Sequence, residues 1–298
     1  MTATRPGDGP RVVVIGGGHG LAATIRAARA YAGHTTAVVA TADDGGSTGR
    51  LRAGLALPAP GDLRRCVAAM AGDGGGPLCR ALDYRFGGTD VEGHALGNLL
   101  IAGLAEATGD FEEAVGELSR LVGVDPRVGR VVPATADPVT LTAETTFGDR
   151  VVGQVAISAT LGVSRVWVDP GDAPAPPAAG EALAGADQVI LGPGSLYTSV
   201  LAAAVVDDVR EAIKQAPGRC VYIANLRAEL RETRGYDVAA HVAALRRHGI
   251  EPDVVLVQPG ALPVGEVDAE IVTADVARPH GLSHDSDRLA AALHDLLR

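Results

Sequence analysis

The segment Arg11-Val-Val-Val-Ile15 runs directly into Gly16-Gly-Gly-His-Gly20, and an alanine-rich stretch follows to about Tyr31. A short unbroken run of β-branched side chains has no polar face, so it predicts a strand buried on both sides. A second apolar run, about Thr35 to Ala40, follows the predicted helix. Strand, glycine turn, helix and strand make a βαβ unit with a right-handed crossover. Such an opening predicts a mostly parallel α/β sheet covered on both faces. The chemistry of the core agrees. Aromatic residues are only 3% of the chain, so Ala, Val, Leu and Ile must fill the interior. A chain of 298 residues can bury such a core as one large α/β domain.

The same alternation returns in the second half. Strands are predicted at Gln188–Leu191, Cys220–Ala224 and Val254–Val257. Helices are predicted from Ser195, over Asp207–Gln215, Val238–His248 and Ser286–Leu297. Between the halves, helices are expected at about His94–Ala107 and Phe111–Val122. Asp62, preceded by Pro60 and Gly61, reads as a helix cap. Thr140–Ser158 differs. It alternates through Val151-Val-Gly-Gln-Val-Ala-Ile157, with Phe147-Gly-Asp149 at a turn, and predicts a small antiparallel hairpin excursion over about 140–158. Residues 1–10 read as a disordered tail, and 11–298 as one domain.

Several function classes are disfavoured. The chain carries 26 basic and 36 acidic residues, a net charge of −10, which argues against nucleic acid and anionic membranes as partners. No apolar run approaches the roughly 20 residues of a membrane span, so no membrane insertion is expected. Nor is there a signal-peptide pattern at the start. Cys66, Cys79 and Cys220 contain no C-x-x-C pair, which predicts a reduced cytoplasmic protein without a zinc site. Lys214 is the sole lysine and lies in a predicted exposed helix. A Walker-type lysine and a Schiff base are therefore not expected, and phosphate binding falls to arginine and backbone.

Two glycine loops carry the first functional expectation. Gly16, Gly17, Gly18, His19 and Gly20 follow a strand and open a helix, as Gly192, Gly194 and Ser195 do later. Amide groups at such starts point outward, and glycine lets an anion approach them. The dinucleotide fingerprint is incomplete, because Leu21 stands at its third glycine position. A plain βα turn and a plain Ser195 helix cap are the bland alternatives. In open α/β sheets, two such loops converge on one crevice, and a diphosphate could bridge them.

Ala42 to Gly54, ADDGGSTGRLRAG, reads as a third wall. Asp43 and Asp44 suit a divalent cation or ribose hydroxyls, Gly45 and Gly46 permit close approach, and Arg50 and Arg52 suit phosphates. A solvated, self-compensated turn is the alternative. Asp62 with Arg64 or Arg65 adds a second acidic and basic cluster. His94, Gly97 and Asn98 are spaced to share one helix face. Gly97 costs about 1 kcal/mol against alanine there, which hints at close packing or a ligand. Asn225 ends a strand on the same side. His241, His248 and His294 read as exposed helix positions.

Taken in order, Gly16-Gly-Gly-His-Gly-Leu21, Ala42 to Arg52, Pro60-Gly-Asp-Leu-Arg-Arg65, His94-Ala-Leu-Gly-Asn98 and Leu191-Gly-Pro-Gly-Ser-Leu-Tyr-Thr-Ser199 resemble the YvcK-like gluconeogenesis factor family, related to the CofD-type 2-phospho-lactate transferases. The likeness runs from about Val12 to the C-terminus and adds Ser47 and Thr198 to the candidate ligand contacts. It implies a Rossmann-like three-layer α/β/α fold in a cytoplasmic bacterial protein. It also implies binding of UDP-activated sugars such as UDP-N-acetylglucosamine. The function implied is support of growth and cell shape on gluconeogenic carbon through cell-wall synthesis, in a branch with no established turnover. The transferase branch implies Mg²⁺, a guanosine-diphosphate-linked donor and a deazaflavin acceptor. Two positions depart from the family pattern. His19 stands where a residue such as threonine is usual, and Ser283-His284-Asp285 stands where an Arg-His-Asp-like stretch is common. Arg278 is the neighbour that could replace that arginine.

Three functions compete on these residues: a UDP-sugar-binding regulator, a Mg²⁺-dependent group transferase, and an NAD-dependent oxidoreductase. Leu21 weighs against the last. The expected partner is a small nucleotide. No metal is required outside the transferase reading, where Asp43 and Asp44 are the weak candidates. A regulatory protein partner in cell-wall synthesis and a homo-oligomer are compatible with the chain.

Overall fold

The computed structural model describes residues 7–88 and 90–297. The part of the expected tail over residues 1–6 lies outside the described residues. Ten strands are present among the described residues: β1 Arg11–Gly16, β2 His34–Val39, β3 Gly129–Pro133, β4 Thr140–Thr145, β5 Arg150–Val152, β6 Val163–Asp169, β7 Gln188–Leu191, β8 Arg219–Ile223, β9 Val254–Val257 and β10 Glu270–Thr273. Seven of them form one parallel sheet in the order β10–β9–β8–β7–β1–β2–β3.

Strand parity builds the layers. Val12, Val14, Ile190 and Val221 face one side, where Leu21 and Ile25 of α1 (Gly18–Arg29) and Leu63 and Met70 of α3 (Pro60–Ala71) pack. Val13, Ile15, Leu191 and Tyr222 face the other. There they meet Leu141, Val166 and Val168 of the smaller sheet, together with Leu183, Val209 and Leu245 from helices. The three expected layers are found, with a small sheet contributing to the outer layer on one face. The core is largely aliphatic, but Tyr197 and Tyr222 are fully buried in it, against the expectation that Ala, Val, Leu and Ile alone would fill it.

The excursion over 140–158 is only half a hairpin. β4 pairs antiparallel with β5 as expected, but β6 pairs on its other side, giving the order β5–β4–β6. The alternating run stops at Val152. Gly153 adopts φ +98°, and Gln154–Ser158 turns into a short helix. Asp44 supplies the reason, since its Oδ1 accepts the Val155 amide at 2.9 Å. A carboxylate on an early amide favours helix over a continued strand.

β3, β6 and β10 are not anticipated from sequence. All three lie at sheet edges, where one neighbour suffices and polar residues such as Arg130, Arg165 and Glu270 break the apolar run. The helix Asp207–Gln215 matches expectation, and Lys214 on it pairs with Glu211. His294 is exposed as expected, but His241 and His248 are buried. Their helix, Val238–Arg247, packs within the layer that carries the small sheet, and the Val166 amide donates to His248 Nε2 at 2.9 Å. No helix among the described residues is long and apolar enough to cross a membrane.

Candidate functional site at the carboxyl edge of the sheet

Strand order reverses between β1 and β7. The chain leaves β1 into α1 on one face of the sheet. It leaves β7 into the wide π-helical turn Leu196–Leu201 on the other. Diverging connections open a crevice at such a point. The two glycine loops form its floor and touch each other. A Cβ placed on Gly20 would stand 2.1 Å from the Pro193 carbonyl oxygen, so only glycine fits. Thr24 of α1 locks the pair by donating to the Gly192 carbonyl at 2.8 Å. The expected convergence of Gly16–Gly20 with Gly192–Ser195 is what the fold builds.

A second group of residues gathers on the β2 side. ADDGGSTGRLRAG is not a loop throughout, because Gly46–Gly54 forms a helix, α2. Asp43 Oδ1 accepts the Gly45 amide at 3.0 Å in a tight turn before it. Asp62 is not the cap of α3; Ala59 holds that position. Instead Asp62 reaches the first loop, where its carboxylate accepts the Gly18 amide and pairs with Arg65. Burial pushes the Asp62 carboxyl up, and the nearby Asp43 charge adds to this; Arg65, the Gly18 amide and His19 oppose it. Asp43 and Asp62 thus form a carboxylate pair beside the glycine floor.

Ser47 ties the third motif to this group. His94 lies just before the helix Leu96–Thr108 rather than inside it. Its Nδ1 still meets Ser47 Oγ at 3.1 Å, and Asn98 Nδ2 donates to the same hydroxyl at 3.1 Å. Desolvation and the Arg50 charge push the His94 imidazole down. Gly97 is explained by packing, because a Cβ there would meet the Arg64 stem at 2.6 Å.

The arginines divide by role. Arg52 is half-buried and donates to the carbonyls of Asp43, at 3.0 Å, and Val139, so it braces the turn rather than facing a ligand. Arg64 is buried between Asp83 and Asn98, and Arg65 is engaged by Asp62. Arg50 is exposed and donates to the Glu92 carbonyl at 2.7 Å. Arg278 is exposed but lies outside the cleft wall.

The cleft itself has a volume of about 630 Å³. His19, Gly20, Gly194 and Ser195 form its floor, and the segment after β8 forms one wall with Arg227, Glu229 and Arg231. His284, of the Ser283-His-Asp285 stretch that departs from the family pattern, also lines the cleft and is buried, which pushes its imidazole down to about 4. Asn225 is placed as expected and accepts the Gly194 amide at 3.4 Å. Ser195 stands at the N-cap of Leu196–Leu201, the bland alternative, but its side chain makes no capping bond; its hydroxyl donates to Glu229. Thr198 is buried beside Glu232. Arg227, Glu229, Arg231 and Glu232 are missed by sequence. The available signal was Asn225-Leu-Arg-Ala-Glu-Leu-Arg-Glu-Thr-Arg234, a charge-rich run directly after a site-side strand end.

The residues present suit a magnesium ion in part. Such an ion takes one or two protein carboxylates and completes its shell with water and ligand phosphates. Asp43 and Asp62 provide two, whereas Asp44 is turned to the Val155 amide. Among the described residues no cluster of three or more acidic, histidine or cysteine side chains is poised to hold a metal alone.

The family described as 2-phospho-L-lactate transferase CofD matches residues 12–294. A gluconeogenesis factor of Bacillus subtilis is 40% identical over 245 residues, covering 81% of this chain and 76% of that protein. A Nostoc relative is 41% identical over 239 residues, 80% of this chain; the chain spans about half of that relative, 52%. A crystal structure of a UPF0052-family protein from Bacillus halodurans superposes with a TM-score of 0.89 at 33% identity, covering 96% of this chain and 99% of that one.

Proposed function

This chain belongs to the CofD family, and we propose that within it the protein is a nucleotide-sugar-binding regulator of gluconeogenic growth. The ligand class is a nucleoside diphosphate carrying a sugar, with UDP-N-acetylglucosamine as the reference compound. One observation carries this reading: the glycine loops of β1 and β7 pack against each other at the floor of a single cleft. That floor offers backbone donors to a diphosphate where strand order reverses. The likeness to a Bacillus subtilis gluconeogenesis factor supports the physiological role. The link to cell-wall synthesis and cell shape, the cytoplasmic setting and a regulatory protein partner complete the proposal. Calorimetric titration with UDP-N-acetylglucosamine, GDP and NAD tests it. Saturable heat with the UDP-sugar and an intact nucleotide afterwards are expected; no heat with any UDP-sugar rejects it.

A second reading is favoured by the proximity of the Asp43 and Asp62 carboxylates, the charge of one acting on the other. Under it, those residues would hold Mg²⁺, which would screen the charge of a diphosphate during group transfer. His94 and Asn98, joined through Ser47, would then orient an acceptor. Its test is chromatography of a nucleotide-linked donor incubated with Mg²⁺ and acceptor alcohols. A donor that stays intact rejects this reading.

A further inference from the structure

The second glycine loop already carries an internal set of acceptors. Its Gly194 amide donates to Asn225 Oδ1 at 3.4 Å, its Ser195 hydroxyl to Glu229 Oε1, and the Tyr197 amide to Glu232 Oε1 at 3.4 Å. All three acceptors belong to one strap, residues 225–232, that follows β8. Two are carboxyl groups, placed where the phosphate oxygens of a ligand would find the same donors. The same strap carries Arg227 and Arg231 on the cleft wall. Both are exposed and have no acidic partner among the described residues. Glu232 is 1% exposed, and its Oε2 has no hydrogen-bond partner. The Glu229 carboxyl therefore covers the Ser195 hydroxyl while two guanidinium groups line the same cleft.

We infer that the strap completes a diphosphate subsite: Glu229 holds Ser195 as an internal stand-in for phosphate, and a diphosphate group displaces it and is gripped by Arg227 and Arg231. This rests on the reading of the cleft as an anion site, and adds its binding residues and its built-in competitor. Guanidinium forks suit phosphate oxygens better than a single hydroxyl does. Removing a charged competitor frees the donor, whereas removing a fork loses a charge-assisted contact. The two changes must act in opposite directions.

Calorimetry with inorganic pyrophosphate and, separately, with UDP-N-acetylglucosamine tests the inference on wild type, Glu229→Ala, Arg227→Ala and Arg231→Ala. Glu229→Ala is expected to bind pyrophosphate roughly tenfold more tightly than wild type, and each arginine variant roughly tenfold more weakly. Hydrogen exchange of wild type gives an independent readout. Pyrophosphate should slow exchange in residues 226–232, as Arg227 and Arg231 hold the strap on the ligand. Equal or weaker pyrophosphate binding by Glu229→Ala overturns the inference, as does absence of pyrophosphate binding in every form. Pyrophosphate binding that follows the expected order, without any response to the UDP-sugar, supports the subsite and rejects the nucleotide-sugar reading instead.

Discussion

Gly20 lies so close to Pro193 that a methyl group on it would stand 2.1 Å from the Pro193 carbonyl oxygen. That separation is far inside van der Waals contact, so the two loops can touch only through this glycine. Gly20→Ala is expected to push the loops apart. The cost in stability is about 1–3 kcal/mol, typical of overpacking, and ligand affinity should fall at least tenfold because both donor sets shift. A thermal melt and a UDP-sugar titration check both. A variant with wild-type affinity would mean that the loops do not act as one floor.

Asp44 belongs to the architecture more than to the ligand site. Its carboxylate accepts the Val155 amide 111 positions away and starts the helix Gln154–Ser158. Asp44→Ala should lower stability by about 1–2 kcal/mol, the worth of a capping or charge-assisted contact. In a chain of this size the melting temperature should fall by a few degrees. Unchanged melting would show that the small helix forms without its cap.

The two arginines of α2 should separate in the same assay. Arg52 is half-buried and braces the carbonyls of Asp43 and Val139, whereas Arg50 is exposed and holds one carbonyl. Burial lowers the pKa of the Arg52 guanidinium, opposed by the charges of Asp44 and Asp43. Arg52→Ala is expected to cost about 1–3 kcal/mol, since it leaves acceptors without a partner. Arg50→Ala should cost no more than about 0.5 kcal/mol, as at an ordinary surface site. Denaturant melts of both variants decide it, and equal losses would contradict the division of roles.

Glu232 gives stability a pH dependence of definite sign. Burial, and next the Glu229 charge, push its carboxyl from the ordinary 4.5 up to about 8. The folded protein therefore holds a proton that the unfolded chain has released. Its contribution is complete below the unfolded value and is lost as pH rises through the folded one. Glu232→Gln mimics the protonated form. The variant should melt above wild type at about pH 9, with a shrinking gap toward about pH 5. A gap that widens toward acid would reverse the sign and defeat the assignment.

Much of the architecture was legible locally. Val12 to Ile15 predict a strand buried on both faces, and the sheet buries them on both. The glycines that follow β1 and β7 predict ligand-side turns, and both lie on the cleft floor. Edge strands escaped because β10 is polar at both ends and β3 opens on Gly129 and Arg130, so neither carries a clear period. The strand expected through Val155 failed for a different reason. Its alternation was sound, but Asp44 and the φ of Gly153 outweighed it.

The site divides along the same line. His94, Asn98 and Ser47 are motif residues, and the structure joins them through one hydroxyl. Arg227, Glu229 and Arg231 belong to no motif, and only the return of the chain after β8 brings them to the cleft. The sequence by itself determined the parallel sheet, its largely aliphatic core and the glycine turns at one edge of it, because each rests on periodicity or glycine geometry within about ten residues. The tertiary structure decided the long-range partners of the polar side chains: Asp44 with the Val155 amide across 111 residues, Ser195 with Glu229 across 34. A side chain's partner depends on which segments the sheet order brings side by side, and no local period encodes that order.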